Sequence, residues 1–272
     1  MKPCSGRCRG YARGFWLGAA MMLMGLTGGV LAQQRGIAAA DIKSGFEFLG
    51  PDLKNMQLDD FANPGDLWVD RGAKLWAAKT GVNNQSCADC HGDARSSMKG
   101  VAAKYPRFDP VSGRLMTLEG RILQSRTEHQ KAPTLAYESA ELLSLTAYIA
   151  RQSNGISVSA MIDGPAKKFF DEGEAFFFRR RGQLNLSCAH CHDANWGRTL
   201  YAERISQGHP NAYPAYRLEW QTMGSLERRL RACLSGVRAE ILPYGSPDYA
   251  NLALYLYWRA QGLKFESPGV RR

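Results

Sequence analysis

The sequence predicts a mainly α-helical protein assembled from two tandem copies of one unit behind an N-terminal extension. Two observations predict this. The motif C-x-x-C-H occurs twice, at Cys87, Cys90 and His91 and again at Cys188, Cys191 and His192. The flanking sequence also repeats in register. Gly72, Trp76, Gly81, Asn84 and Ser86 recur 101 residues later as Gly173, Phe177, Gly182, Asn185 and Ser187. A self-similar period of this length marks a duplicated structural unit.

The chain of 272 residues carries a formal charge of +10. Its first 32 residues read as a cleaved secretory leader. Lys2, Arg7, Arg9 and Arg13 form a basic start without an acid, Phe15–Leu31 is apolar, and Val30-Leu31-Ala32 offers small residues for cleavage. The apolar run is short for a membrane span, and its glycines weaken it as a permanent helix. Cys4 and Cys8 fall inside this leader, so five cysteines lie beyond it: the four of the motifs and Cys233. An unpaired thiol in an exported protein is a candidate for reactivity or ligation. The chain has no long Lys/Arg run, so its basicity points to anionic partners rather than nucleic acid.

Residues 33–66 lack strong periodicity and read as an extension packed across a domain, punctuated by Pro51, Pro64 and Gly65. A helix is expected over Trp68–Ala78, ended by Gly81, with Cys87 in the following loop. The downstream half of each unit repeats as well. Leu118–Ser125 aligns with Leu226–Cys233 at an offset of 108, so the second unit is longer by seven residues after its motif. Leu145, Tyr148 and Gly155 return as Leu252, Tyr255 and Gly262, marking a closing helix in each copy. Little of the chain reads as strand. The expected boundaries are 67–155 and 156–272, with the linker in Asn154–Pro165. Trp76, Phe177 and Tyr255 are expected to pack in the core.

C-x-x-C-H is the attachment pattern of c-type haem: both thiols bind one porphyrin, and the adjoining imidazole ligates the iron. Zinc is the chemical rival. Structural zinc sites bring the second ligand pair within about 20 residues of the first, whereas these motifs are separated by most of a domain. The order helix, motif, loop, sixth-ligand region and closing helix is that of class I cytochrome c domains. Two covalently attached haem c groups are therefore expected, on Cys87 and Cys90 with His91, and on Cys188 and Cys191 with His192. A haem would replace much of the apolar core that so short a unit lacks.

Leu226, Leu230 and Cys233 share one face of a helix at i, i+4 and i+7. If that face meets the second haem, Cys233 reaches the iron opposite His192. A thiolate is a good iron ligand, and nearby guanidinium groups favour it. The alternative is a small buried Cys acting as a hydrophobe. Arg228, Arg229, Arg231 and Arg238 surround this thiol in sequence, and the competing account of them is a solvated helix face.

Over nearly all of the mature length, the chain resembles the SoxA family, the catalytic dihaem cytochrome c subunits of the periplasmic Sox thiosulfate-oxidising system. The most specific stretches are Ser206-Gln207-Gly208-His209-Pro210-Asn211-Ala212-Tyr213-Pro214 and Arg229-Leu230-Arg231-Ala232-Cys233, followed by Arg238-Ala239-Glu240. The resemblance implies that Cys233 is both an iron ligand and the active cysteine, able to carry a persulfide, and that Arg229 holds the substrate anion. It implies oxidative conjugation of thiosulfate to a cysteine of the SoxYZ carrier protein, with electrons passing to SoxX, a monohaem cytochrome c forming a heterodimer with this subunit. A pure electron-transfer cytochrome and a tetrathionate-forming thiosulfate dehydrogenase are the competing functions. One position departs from the pattern: Ser125 stands where dihaem relatives place the cysteine ligand of the first haem. His129 and Met116 are the other ligand candidates there, and a surface or hydrogen-bonding imidazole is the plain reading of His129.

Overall fold

The computed structural model describes residues 37–272, so the leader expected over 1–32 lies outside the described residues. Among the described residues, no helix is long and apolar enough to cross a membrane. The described residues form one compact unit.

The extension carries α1 (Pro51–Leu58), and the first repeat begins with α2 (Asp66–Ala77). Then come α3 (Cys87–His91), α4 (Ala94–Ser97), the hairpin β1 (Arg107–Asp109) and β2 (Arg114–Met116), α5 (Leu118–Glu128) and α6 (Ala140–Arg151). The second runs through α7 (Lys167–Phe178) and α8 (Cys188–His192), then an added hairpin, β3 (Thr199–Leu200) with β4 (Glu203–Arg204). It closes with β5 (Ala215–Arg217), β6 (Thr222–Gly224), α9 (Leu226–Gly236), α10 (Pro247–Arg259) and β7 (Gly269–Arg271). The added hairpin falls where the sequence offset grows from 101 to 108.

Each repeat is built on a helix crossing without side chains at its centre. A Cβ on Gly72 would lie 2.1 Å from the Ser144 carbonyl oxygen, and one on Gly173 would lie 2.0 Å from that of Asn251. The glycines thus let α2 press on α6 and α7 on α10. Trp76, Phe177 and Tyr255 fill the core around these crossings, each no more than 5% exposed. The long helices start on side-chain caps: Thr117 and Ser225 accept from the N–H groups of Gly120 and Arg228, and Ser139 and Ser246 from those of Leu142 and Tyr249.

The strands are the main difference from the sequence reading. Seven occur among the described residues, none longer than three residues, which is too short to show period-two alternation. β5 pairs antiparallel with β6 and parallel with β7, joining the C-terminus to the second unit. The two repeats also pack reciprocally: β6 of the second lies on α6 of the first, and β2 of the first on α10 of the second. Equivalent residues meet at this seam, as a two-fold arrangement requires. Tyr137 stacks on Tyr244, its counterpart, with ring centroids 6.1 Å apart.

The extension is tied to the second unit and the C-terminus. Gln207 accepts from the Lys43 N–H and donates to the Asp41 carbonyl, both at 2.7 Å, and His209 Nδ1 donates to the Lys43 carbonyl at 2.8 Å. Asn63 donates to the Pro268 carbonyl at 3.0 Å.

Candidate functional site

Both motifs lie on five-residue helices, not in loops. Ser86 starts α3 with a capping box: Asp89 N–H donates to Ser86 Oγ (3.0 Å), and Ser86 N–H donates back to Asp89 Oδ2 (2.8 Å). In α8 the place of Asp89 is taken by His190, whose Nδ1 accepts from the Ser187 N–H at 3.1 Å. One helical turn separates the two thiols of each pair, which puts both on one side of the helix.

The second motif carries the denser site. His192 Nδ1 donates to the Ser206 carbonyl at 2.7 Å, which fixes the tautomer and leaves Nε2 with its lone pair free for a ligand bond. Gly208 lies against the other side of the ring: at φ +76°, a Cβ there would lie 3.0 Å from the imidazole carbon. The 206–211 loop that performs both tasks is the one held by the extension through Gln207 and His209.

Cys233 is brought to His192 by α9, whose Leu226 and Leu230 pack with Cys188 and Ala189 on the main core. His192 lies close enough to the Cys233 thiol to favour its charged form. Burial raises its pKa, but Arg229, His192 and Arg217 together outweigh that penalty and bring it down to about 7. The motif thiols go the other way. Burial, reinforced by the nearby Cys233 sulfur, pushes Cys188 up to about 12 and raises Cys191. Arg229 is raised mainly by Cys233, against a burial penalty, so the two groups stabilise each other's charges.

The four arginines near Cys233 in sequence therefore separate in space. Arg228 lies 4.4 Å over the Trp220 ring, Arg231 lies 4.2 Å over Tyr244 and binds the Leu242 carbonyl, and Arg238 reaches Gln183. Only Arg229 of that set acts on the thiol. Arg217, which sequence proximity missed, joins it from the end of β5.

The first motif is more open. Cys90 and His91 are exposed, and Cys87 is half-buried with Gln130 Nε2 at 3.8 Å from its sulfur. Trp76 backs this helix, donating to the Gly92 carbonyl at 3.0 Å, with its ring centroid 5.8 Å from that of His91. Ser125 occupies on α5 the place of Cys233 on α9. His129 is the exposed C-cap of α5, its carbonyl accepting from Asn83 at 2.6 Å, and Met116 is half-buried at the end of β2.

The donor set of the second site suits one haem c. It has two thiols on one helical turn, an imidazole oriented by a backbone carbonyl, and a thiol of lowered pKa on the facing helix. Comparisons with known proteins agree. Residues 71–158 match the SoxA/TsdA cytochrome c domain. The L-cysteine S-thiosulfotransferase subunit SoxA of Rhodovulum sulfidophilum is 36% identical over 85% of this chain and 80% of its own length. That of Pseudaminobacter salicylatoxidans is 37% identical over 84% and 80%. The chain belongs to the SoxA family. The crystal structure of SoxXA from P. pantotrophus contains a chain that superposes with a TM-score of 0.82 at 37% identity, covering 85% of this chain and 87% of that one. A SoxA cytochrome domain carries covalent haem c, and Cys87, Cys90 and His91 lie within the matched span.

Proposed function

We propose that this chain is the catalytic subunit of a periplasmic L-cysteine S-thiosulfotransferase, which oxidatively joins thiosulfate to a cysteine of the SoxYZ carrier. The names and likeness of its relatives support the activity, and their SoxXA assembly supports a SoxX-type cytochrome as partner. The reaction forms one S–S bond between the outer thiosulfate sulfur and the carrier thiol. It releases one proton and two electrons.

One haem c would be held by Cys188, Cys191, His192 and Cys233, and a second by Cys87, Cys90 and His91. The one nearest Cys233 would supply the electron acceptor. The chain's own residues do the rest. Arg229 receives the anion, because a guanidinium pairs two donors with two oxygens of an oxyanion. Cys233 presents the sulfur at which the S–S chemistry occurs, able to carry a persulfide. The Ser206 carbonyl and Gly208 hold His192 in one orientation. At the α5 position equivalent to Cys233, Ser125 offers a neutral hydroxyl in place of a thiolate, which makes the second site the catalytic one.

The observation that carries this reading is the convergence of a half-buried thiol of lowered pKa, a half-buried arginine and an oriented imidazole at one place. Cys233→Ala tests it in the complex with the partner cytochrome and carrier. Conjugation of thiosulfate to the carrier, followed by mass spectrometry, is expected to vanish while both haems stay attached. Conjugation at the normal rate would sink the proposal, and tetrathionate formation by the wild type without carrier would favour a thiosulfate dehydrogenase.

A further inference from the structure

The two repeats place the same backbone positions around Ser125 and around Cys233. In the first, the last residue of β1 is Asp109 and the fourth residue of α5 is Arg121, joined by an ion pair at 2.8 Å. Asp109 also accepts from the Ser112 hydroxyl at 2.7 Å, so this carboxylate is satisfied and the pair is closed. In the second, the last residue of β5 is Arg217 and the fourth residue of α9 is Arg229. Where one repeat holds a carboxylate facing a guanidinium, the other holds two guanidiniums.

Arg229 therefore lacks the carboxylate that Arg121 has, and a guanidinium stands at that strand position instead. Arg217 is 3% exposed, and its Nε is buried without a hydrogen-bond partner. Its Nη2 meets Glu203 at 3.3 Å and Glu219 at 3.4 Å, and both carboxylates are partly exposed. Those contacts use one corner of the fork and leave the Nε edge unused. Trp220 stacks 5.1 Å from the guanidinium, and its ring occupies the space a Cβ on Gly224 would fill, 2.3 Å away. Glu203 belongs to the added β3–β4 hairpin, so the seven-residue insertion reaches back to grip this arginine.

We infer that Arg217 is a second substrate-binding residue, forming with Arg229 a two-guanidinium clamp that takes the thiosulfate dianion at Cys233. This deepens the reading proposed above and rests on it. Glu203 and Glu219 hold one corner of the Arg217 guanidinium, and its unpartnered Nε edge adds N–H donors for the oxyanion to those of Arg229. The first repeat lacks both the thiol and the clamp, its arginine being committed to Asp109.

The test uses the haem-loaded complex with partner cytochrome and carrier. Arg217→Gln is expected to raise KM for thiosulfate by about 10- to 100-fold, the range of one charged hydrogen-bonding group. KM for the carrier and the haem content should stay unchanged, and competitive inhibition by sulfate should weaken in parallel. Arg217→Lys should recover part of the loss. Arg217→Asp should recreate beside Arg229 the closed pair of the first repeat and lower thiosulfate use further. Unchanged thiosulfate KM in the Gln and Lys variants would overturn the inference. So would an altered haem spectrum at unchanged KM, which would assign the arginine to a haem carboxylate. A wild-type complex that does not conjugate thiosulfate would instead overturn the proposed function.

Discussion

The first and second repeats share their scaffold almost residue for residue, yet the surroundings of their histidines differ. His91 is exposed beside Trp76, while His192 is half-buried, tethered to the Ser206 carbonyl and faced by Cys233. The glycine-centred crossings, capped helices and hairpins occur in both. The differences are concentrated in a few positions: Ser125 against Cys233, Asp109 against Arg217, and a hairpin present only in the second. Such a pair shows that the scaffold sets where groups can meet, and a handful of side chains decide whether chemistry follows.

The comparison can be broken first at the thiol. Cys233→Ser gives the second repeat the residue of the first and should cut the conjugation rate by at least about a thousandfold. Haem content by absorbance is the control. The shared scaffold predicts equal sensitivity elsewhere. Gly72→Ala and Gly173→Ala each force a methyl group into a backbone carbonyl and should each cost about 3 kcal/mol or more in thermal or denaturant unfolding. A large cost in only one repeat would contradict the equivalence.

The seam between the repeats gives a pH signature. Burial pushes the Glu227 carboxyl up to about 7 from an ordinary value of 4.5, Glu119 and Glu138 reinforce the rise, and the Gly245 N–H, donating at 2.7 Å, opposes it. The native state therefore holds a proton that the unfolded chain has released, so stability falls as pH rises from about 4.5 to 7. The loss is about 3 kcal/mol at most, and stability then levels off. Glu227→Gln keeps an acceptor for Gly245 and should flatten this part of the melting-temperature profile; an unchanged slope would refute the assignment. The mildest change sharpens the contrast instead. Ser125→Cys should add a second thiolate-ligated haem signal in low-temperature EPR and leave the rate of thiosulfate conjugation within about twofold.

Much of the fold was legible because the duplication wrote it twice. The shared offsets located α2, α5 and α6 and their counterparts before any contact was known. The seven-residue excess showed where the second unit is longer but not that the extra length forms a hairpin. The motif segments read as loops because five-residue helices are too short for apolar periodicity. The Ser86–Asp89 capping box was the available signal. The bonds between residues 41–44 and the 206–211 loop join positions some 165 residues apart and run largely through backbone carbonyls, which carry no sequence signature.

At the site, the i, i+4, i+7 face put Cys233 with Leu226 and Leu230, but proximity along the chain overcounted the arginines. Successive helical residues point about 100° apart, so Arg228 and Arg231 leave the face that Arg229 shares with the thiol. Arg217 escaped notice because it lies sixteen residues upstream on a strand. Setting Asp109 beside it in the repeat alignment would have exposed it, since a reversal of charge at a duplicated position is informative where an isolated arginine is not.

The reciprocal packing of β6 on α6 and β2 on α10 gives one polypeptide the form of a closed homodimer. Fusion makes that interface intramolecular, at an effective concentration on the order of millimolar whatever the abundance of the protein. Each half is then held folded by a neighbour it cannot lose by dilution. A half in that position is relieved of the requirement to be self-sufficient, and substitutions that would scatter a free dimer cost it only local contacts. The seam thus gives the duplicated chain room for its halves to specialise, with one kept as a platform while the other is refitted.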